Sequence, residues 1–85
     1  MPEYTITISK TAQKQLDKIP DRIAHPIFEL IQTLADNPRP HGYKKLKGRP
    51  GYRIRKGDYR IVYEVFDNVL LIDIISVGNR KDIYD

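Results

Sequence analysis

Apolar residues alternate with polar ones in three stretches of this 85-residue chain and recur at helical spacing in two others. Tyr4-Thr-Ile-Thr-Ile8 alternates and predicts a strand. Ser9 then stands as an N-cap before Ala12, Leu16 and Ile19, which predict a short helix that Pro20 stops. Asp21 is placed to cap a second helix, whose stripe is Ile23, Ile27, Leu30, Ile31 and Leu34. Pro26 removes a backbone donor early in that helix, and Asn37-Pro38 ends it. Pro38–Gly42 reads as a loop and Tyr43–Lys47 as a short strand before Gly48.

The next two strands are predicted together. Tyr52 and Ile54 alternate with arginines, as do Tyr59, Ile61, Tyr63 and Val65 with their neighbours, and Gly57-Asp58 between them suits a two-residue turn. That turn pairs Lys56 with Tyr59, Arg55 with Arg60, Ile54 with Ile61, Arg53 with Val62 and Tyr52 with Tyr63. Directly paired residues share a face, so Arg53, Arg55 and Arg60 project from one side and the Tyr/Ile set from the other. After a turn at Asp67-Asn68, Val69–Val77 is nearly continuously apolar and predicts a central strand, interrupted by Asp73. The expected fold is α+β in the order β-α-α-β-β-β. Two N-terminal helices pack on one face of a mostly antiparallel sheet, and the arginines lie on the other, uncovered face.

Like charges opposed across two strands are destabilising, by up to roughly 1 kcal/mol. A surface that keeps Arg55 opposite Arg60 is a candidate for an anionic ligand. Charge supports this. Residues 39–60 hold nine of the fifteen Lys/Arg and a single acid, Asp58, for a net +8, whereas the rest of the chain carries −4. Arginine's forked donors match phosphate oxygens, and Lys44, Lys45, Lys47, Arg49 and Lys56 extend the basic block as candidate phosphate contacts. The bland alternative is a solvated basic edge whose arginines pair with Glu64 or Asp73. Arg80 and Tyr84 follow the central strand closely enough to fold beside its end, where an aromatic can stack a base. Tyr84 can equally be a terminal ring tucked on the sheet. His41 sits in the basic loop; His25 reads as a surface or capping residue, and Tyr52 and Tyr63 as core aromatics.

Other chemistry is not signalled. The chain has no cysteine, no His/Asp/Glu cluster at metal-ligand spacing, no glycine-rich phosphate loop and no nucleophile elbow. It carries no membrane-length apolar run, and its first residues are unlike a signal peptide, so the expected compartment is the cytoplasm. Its length suits one domain spanning residues 1–85.

Lys45-Leu46-Lys47-Gly48, Tyr52-Arg-Ile-Arg55, Asp58-Tyr-Arg-Ile-Val-Tyr63 and Ile75-Ser-Val-Gly-Asn-Arg80 with Tyr84 resemble the RelE/ParE toxin superfamily, most closely its RelE branch. The resemblance runs over the whole chain. It implies the toxin of a type II toxin–antitoxin system, a ribosome-dependent endoribonuclease that cuts mRNA without a metal or other cofactor. An RNA 2′-hydroxyl would attack the adjacent phosphate. Arg60 and Arg80 would stabilise the growing charge, Tyr84 would stack on a base, and Arg53 and Arg55 would occupy positions where better-studied members carry lysines. An arginine almost never releases its proton, so the general base would be Tyr84, His41 or water. Asn79 stands where some relatives place a histidine. The implied partners are the ribosome with its mRNA and a small RelB-like antitoxin in a hetero-oligomer, with no membrane. Two other functions fit the same outline: a ParE-type toxin that inhibits DNA gyrase without cutting RNA, and a non-catalytic nucleic-acid module, although no recognition helix is apparent.

Overall fold

The computed structural model describes residues 3–79. The chain runs β1 (Thr5–Ile8), α1 (Lys10–Asp17), α2 (Asp21–Thr33), β2 (Lys44–Lys45), β3 (Tyr52–Lys56), β4 (Tyr59–Phe66), a 3-10 turn (Asp67–Val69) and β5 (Leu71–Asn79). The strands form one sheet in the order β1-β5-β4-β3-β2. Only β1 and β5 are parallel; every other neighbouring pair is antiparallel. Arg80 and Tyr84 lie outside the described residues.

Local chemistry explains most boundaries. The Ser9 hydroxyl accepts from the Ala12 N–H at 3.1 Å, which caps α1. Asp21, in contrast, is not the cap of α2. The Pro20 carbonyl already accepts from the Ile23 and Ala24 N–H groups, both at 2.9 Å, so Pro20 holds the cap position. Asp21 falls in the first turn, where its charge complements the helix dipole. Pro26 lies inside α2, and the helix continues through it to Thr33. The predicted strand at Tyr43–Lys47 contracts to Lys44–Lys45.

The core lies between the helices and one sheet face. Ala12, Leu16, Ile19, Ile27, Ile31 and Leu34 meet Ile54, Ile61, Tyr63, Ile72, Ile74 and Val77, all buried. Tyr63 is fully buried yet keeps a polar partner, since its hydroxyl donates to the Pro38 carbonyl at 2.7 Å. Burial raises its pKa.

A bulge in β5 accounts for its continuous apolar run. Val62 pairs with Ser76 but Tyr63 pairs with Ile74, so Ile75 is the extra residue. This one-residue shift lets Ile72, Ile74 and Val77 all face the helices, although strict alternation would turn Val77 away from the other two. β1 ends opposite Ile74, and α1 takes over that edge of β5. The Ser9 N–H donates to the Ile74 carbonyl at 3.0 Å, and the Ser9 hydroxyl to the Ile75 carbonyl at 2.8 Å. The Gln15 side-chain oxygen accepts from the Val77 N–H at 2.6 Å. Side chains of the α1 region thus satisfy backbone groups that a missing strand would have taken.

Ile31, 1% exposed, sits at the centre of this core. Ile31→Ala should lower unfolding free energy by roughly 2–5 kcal/mol, seen as a lower urea midpoint at unchanged slope. A loss below about 0.5 kcal/mol, the scale of a surface substitution, would contradict this placement.

Candidate functional site

The hairpin register matches the predicted pairing at every position: Tyr52–Tyr63, Arg53–Val62, Ile54–Ile61, Arg55–Arg60 and Lys56–Tyr59. On the face away from the helices it builds successive rows. Arg55 and Arg60 line up with Gly78. The next row is Lys44, Arg53, Val62 and Ser76. The row after that is acidic, with Glu64 beside Asp73 and Thr7. Rows lie about 7 Å apart, two residues along a strand. The face is therefore graded, with cations at the end nearest the Gly57-Asp58 turn and carboxylates one row further along. Asp73, the polar interruption of the central strand, faces this open side and accepts from the Thr7 hydroxyl at 3.0 Å.

This face is not uncovered, as alternation alone predicts. Arg53 is only 6% exposed, Val62 2% and Leu46 5%, and Arg60 is half-buried; Arg55 is exposed. The segment between β2 and β3 folds back here. The Leu46 N–H donates to the Gly51 carbonyl at 3.1 Å. Gly51 has φ +120°, and a Cβ on it would lie 3.1 Å from the Tyr63 carbonyl and 3.4 Å from Leu46. Only glycine lets the loop approach so closely.

The other basic residues divide. Lys44 joins the arginine face, whereas Lys45 pairs with Tyr52 and Lys56 with Tyr59, so both alternate to the helix side. Lys47 and Arg49 are exposed in the Leu46–Gly51 loop. His41, exposed, lines a hollow of about 270 Å³ with Lys44, Arg53 and Arg55 against Leu30, Pro40 and Ile54. His25 is a surface residue 3.7 Å from Glu29. Among the described residues no group of His, Asp or Glu is arranged to hold a metal ion, and no helix is long and apolar enough to cross a membrane.

Arg39 leaves the anion-binding set. Its guanidinium donates to Asp67 at 2.8 Å and to the Tyr52 hydroxyl at 3.3 Å, and lies 5.2 Å from the Tyr52 ring centre. Tyr4 donates to the same carboxylate at 2.6 Å. These contacts tie the loop after α2 to the β4–β5 turn and to the start of β1. Asp67's bond raises the pKa of Arg39. The bonds from Arg39, then Tyr4, hold the Asp67 carboxyl below its usual range. Sequence inspection missed this clamp, which joins residues 63 apart in the chain, and gave no role to Leu46, Gly51 or Gln15.

Comparison with known proteins agrees with the geometry. The family described as ParE toxin of type II toxin–antitoxin system, parDE, matches residues 6–84, and the chain belongs to this family of toxins. Toxin RelE of Mycobacterium tuberculosis is 31% identical over 83 residues, covering 95% of this chain and 86% of that one. The mRNA interferase toxin RelE of Escherichia coli K12 is 27% identical over 81 residues, covering 92% and 84%. The crystal structure of the M. tuberculosis toxin–antitoxin complex RelBE2 contains a chain with TM-score 0.84 at 29% identity, covering 96% of this chain and 97% of that one. The RelE-like fold implied by the sequence motifs is the fold observed.

Asp67 yields a pH prediction. Its folded pKa lies below the unfolded value, so the unfolded chain binds its proton more readily. The stability it contributes is complete above the ordinary carboxylate range and is lost as pH falls through the folded pKa. Urea midpoints taken from about pH 7 down to about pH 2 should fall more steeply for the wild type than for Asp67→Asn. Parallel curves would show that the clamp adds nothing.

Proposed function

We propose that this toxin is a ribosome-dependent mRNA endoribonuclease of the RelE kind. The observation that carries the proposal is the cationic end of the sheet face. Arg55 and Arg60 oppose each other there beside Arg53 and Lys44, in a chain whose relative from E. coli is named an mRNA interferase. Arg55, Arg60, Arg53 and Lys44 gather positive charge at one end of the face, and RNA phosphate is an anion that the forked guanidinium fits.

In the proposed reaction, an RNA 2′-hydroxyl attacks its own 3′ phosphate. The new P–O2′ bond forms as the P–O5′ bond breaks. The products are a 2′,3′-cyclic phosphate and a 5′-hydroxyl, with one proton leaving O2′ and one arriving at O5′. No metal takes part. Arg60 stabilises the charge that grows on the phosphate oxygens, and Arg53 and Arg55 hold the phosphate in line. Arg80 and Tyr84 carry the roles the family motif implies, charge stabilisation at the leaving oxygen and base stacking. None of the arginines of this face can act as base, so the O2′ proton passes to Tyr84, His41 or water. Catalysis then leans on charge stabilisation in a partly enclosed site, which agrees with the burial of Arg53.

The proposed partner is a RelB-like antitoxin that covers residues 44–60. The M. tuberculosis RelBE2 complex, in which a chain of this fold meets its antitoxin, supports this pairing. The net +8 of residues 39–60 favours an acidic segment over this region.

Primer extension on an mRNA in a purified translation system tests the reaction. Wild-type protein should cut within codons only when ribosomes are present. Arg60→Ala and Arg80→Ala should each lower the rate by about 10²–10³-fold, with far-UV circular dichroism showing the fold retained. Undiminished cutting in both variants would remove these residues from the site. Intact mRNA with wild-type protein would overturn the proposal and direct attention to a gyrase supercoiling assay.

RNA binding should also weaken with salt. Four face cations, Lys44, Arg53, Arg55 and Arg60, predict a slope of about −3 in log K against log salt, at roughly −0.7 per phosphate. Lys44→Gln should make that slope shallower by about 0.7. A salt-independent affinity would contradict a phosphate-binding face.

A further inference from the structure

We propose that the outer edge of β1 is a docking surface for the same edge of a second copy of this chain, so that two five-stranded sheets join into one. The proposal is independent of the reaction, since β1 lies at the end of the sheet away from β3 and β4.

The sheet has two edges, and one of them is guarded. At one end β2 is two residues long, and both are exposed lysines, which discourage the approach of another strand. At the other end β1 is Thr5-Ile-Thr-Ile8, with no charge, no proline and no shift in its register against β5. An edge of this kind is a template for a further strand.

The parity of the backbone identifies the groups it offers. The Thr5 N–H donates to the Leu70 carbonyl and the Ser9 N–H to the Ile74 carbonyl, both toward β5. Alternate residues of a strand turn their backbone groups to opposite sides, so those of Ile6 and Ile8 point out of the edge. Tyr4 has the same parity, and its N–H donates away from β5, to the Ala35 carbonyl at 2.9 Å. Ala35 thereby closes one end of the edge and limits the register. A second strand reaches Ile6 and Ile8 but not Tyr4.

Self-pairing satisfies these conditions. Two copies run antiparallel about Thr7 set Ile6 against Ile8, Thr7 against Thr7 and Ile8 against Ile6. Each Ile6–Ile8 pair exchanges both of its N–H···O bonds. Opposed residues share a face, so isoleucines meet isoleucines on the helix side and threonine meets threonine on the other. The charges flanking the strand also match. Glu3 precedes β1 and Lys10 follows it, both exposed, and the antiparallel order brings the Glu3 of one copy toward the Lys10 of the other. The contact uses the same patch on both copies and therefore closes at a dimer. The cationic rows of both copies stay clear of it and open on the same side of the joined sheet.

Sedimentation velocity on the purified full-length chain should show a reversible monomer–dimer equilibrium. The paired strands are short, so a dissociation constant between about 1 μM and 1 mM is expected. Amide exchange compared at about 20 μM and about 1 mM should slow at Ile6 and Ile8 by about threefold or more at the higher concentration, and change far less at Thr5 and Ser9, which are already bonded to β5. Glu3→Lys and Lys10→Glu should each weaken the dimer about fivefold, and the double reversal should restore it. A chain that stays monomeric to about 1 mM would overturn the proposal. So would a dimer in which Ile6 and Ile8 exchange as fast as in the monomer, or in which the double reversal restores nothing. Slow exchange at Ile6 and Ile8 in a chain that stays monomeric would place another segment of the same chain over this edge and would equally overturn self-pairing.

Discussion

The register of β3 against β4 is the constraint on which the rest depends. A two-residue turn at Gly57-Asp58 sets it, and every pair along the hairpin follows. That one phase sends Ile54, Ile61 and Tyr63 into the core beneath the helices and sends Arg53, Arg55 and Arg60 to the opposite face. A slip of one residue would bury guanidinium groups among isoleucines and expose the core set to water. The hydrophobic core and the cationic face are therefore two consequences of one pairing, and neither can be altered without the other.

The same coupling extends to β5. Its bulge at Ile75 keeps Ile74 and Val77 on the core side, and Ser9 and Gln15 satisfy the backbone where β1 stops. These contacts fix the course of the strand as far as Gly78, which stands opposite Arg60. Helix α1 is thereby part of the scaffold of the cationic face, although it packs on the other side of the sheet. The clamp of Arg39, Asp67, Tyr4 and Tyr52 does comparable work at the far end, where one carboxylate collects bonds from two elements. Such a chain of supports is what lets a domain this small hold several positive charges close together.

The graded face also bears on chemistry. Carboxylates at Glu64 and Asp73 lie one row from Arg53, so the positive potential is confined to the end of the sheet near the hairpin turn. In the proposed function this potential would draw a phosphate to one end of the face. Arg53 and Arg55 keep their charge at neutral pH and offer forked donors, and neither gives up a proton there. In the proposed reaction these two side chains hold a phosphate and stabilise its charge rather than abstract a proton.

Much of this was legible in the sequence because it rests on local rules. Period-two alternation and a Gly-Asp turn determined the hairpin, its register and which residues share the arginine face; helical spacing and Ser9 determined α1; the motifs around Arg60 and Gly78 pointed to the family. What the tertiary structure alone decided involves contacts between residues far apart in sequence. Arg39 counts as one more cation in a basic block until Asp67 and Tyr4 are brought to it across the fold. Arg53 alternates as an outward residue, yet in the folded chain it is buried. Val69–Val77 shows an apolar run, but the bulge that turns Val77 inward depends on the partner strand and on Gln15. Pattern determines which face a side chain takes; what covers that face, and which distant group neutralises a charge there, is set only when the elements pack.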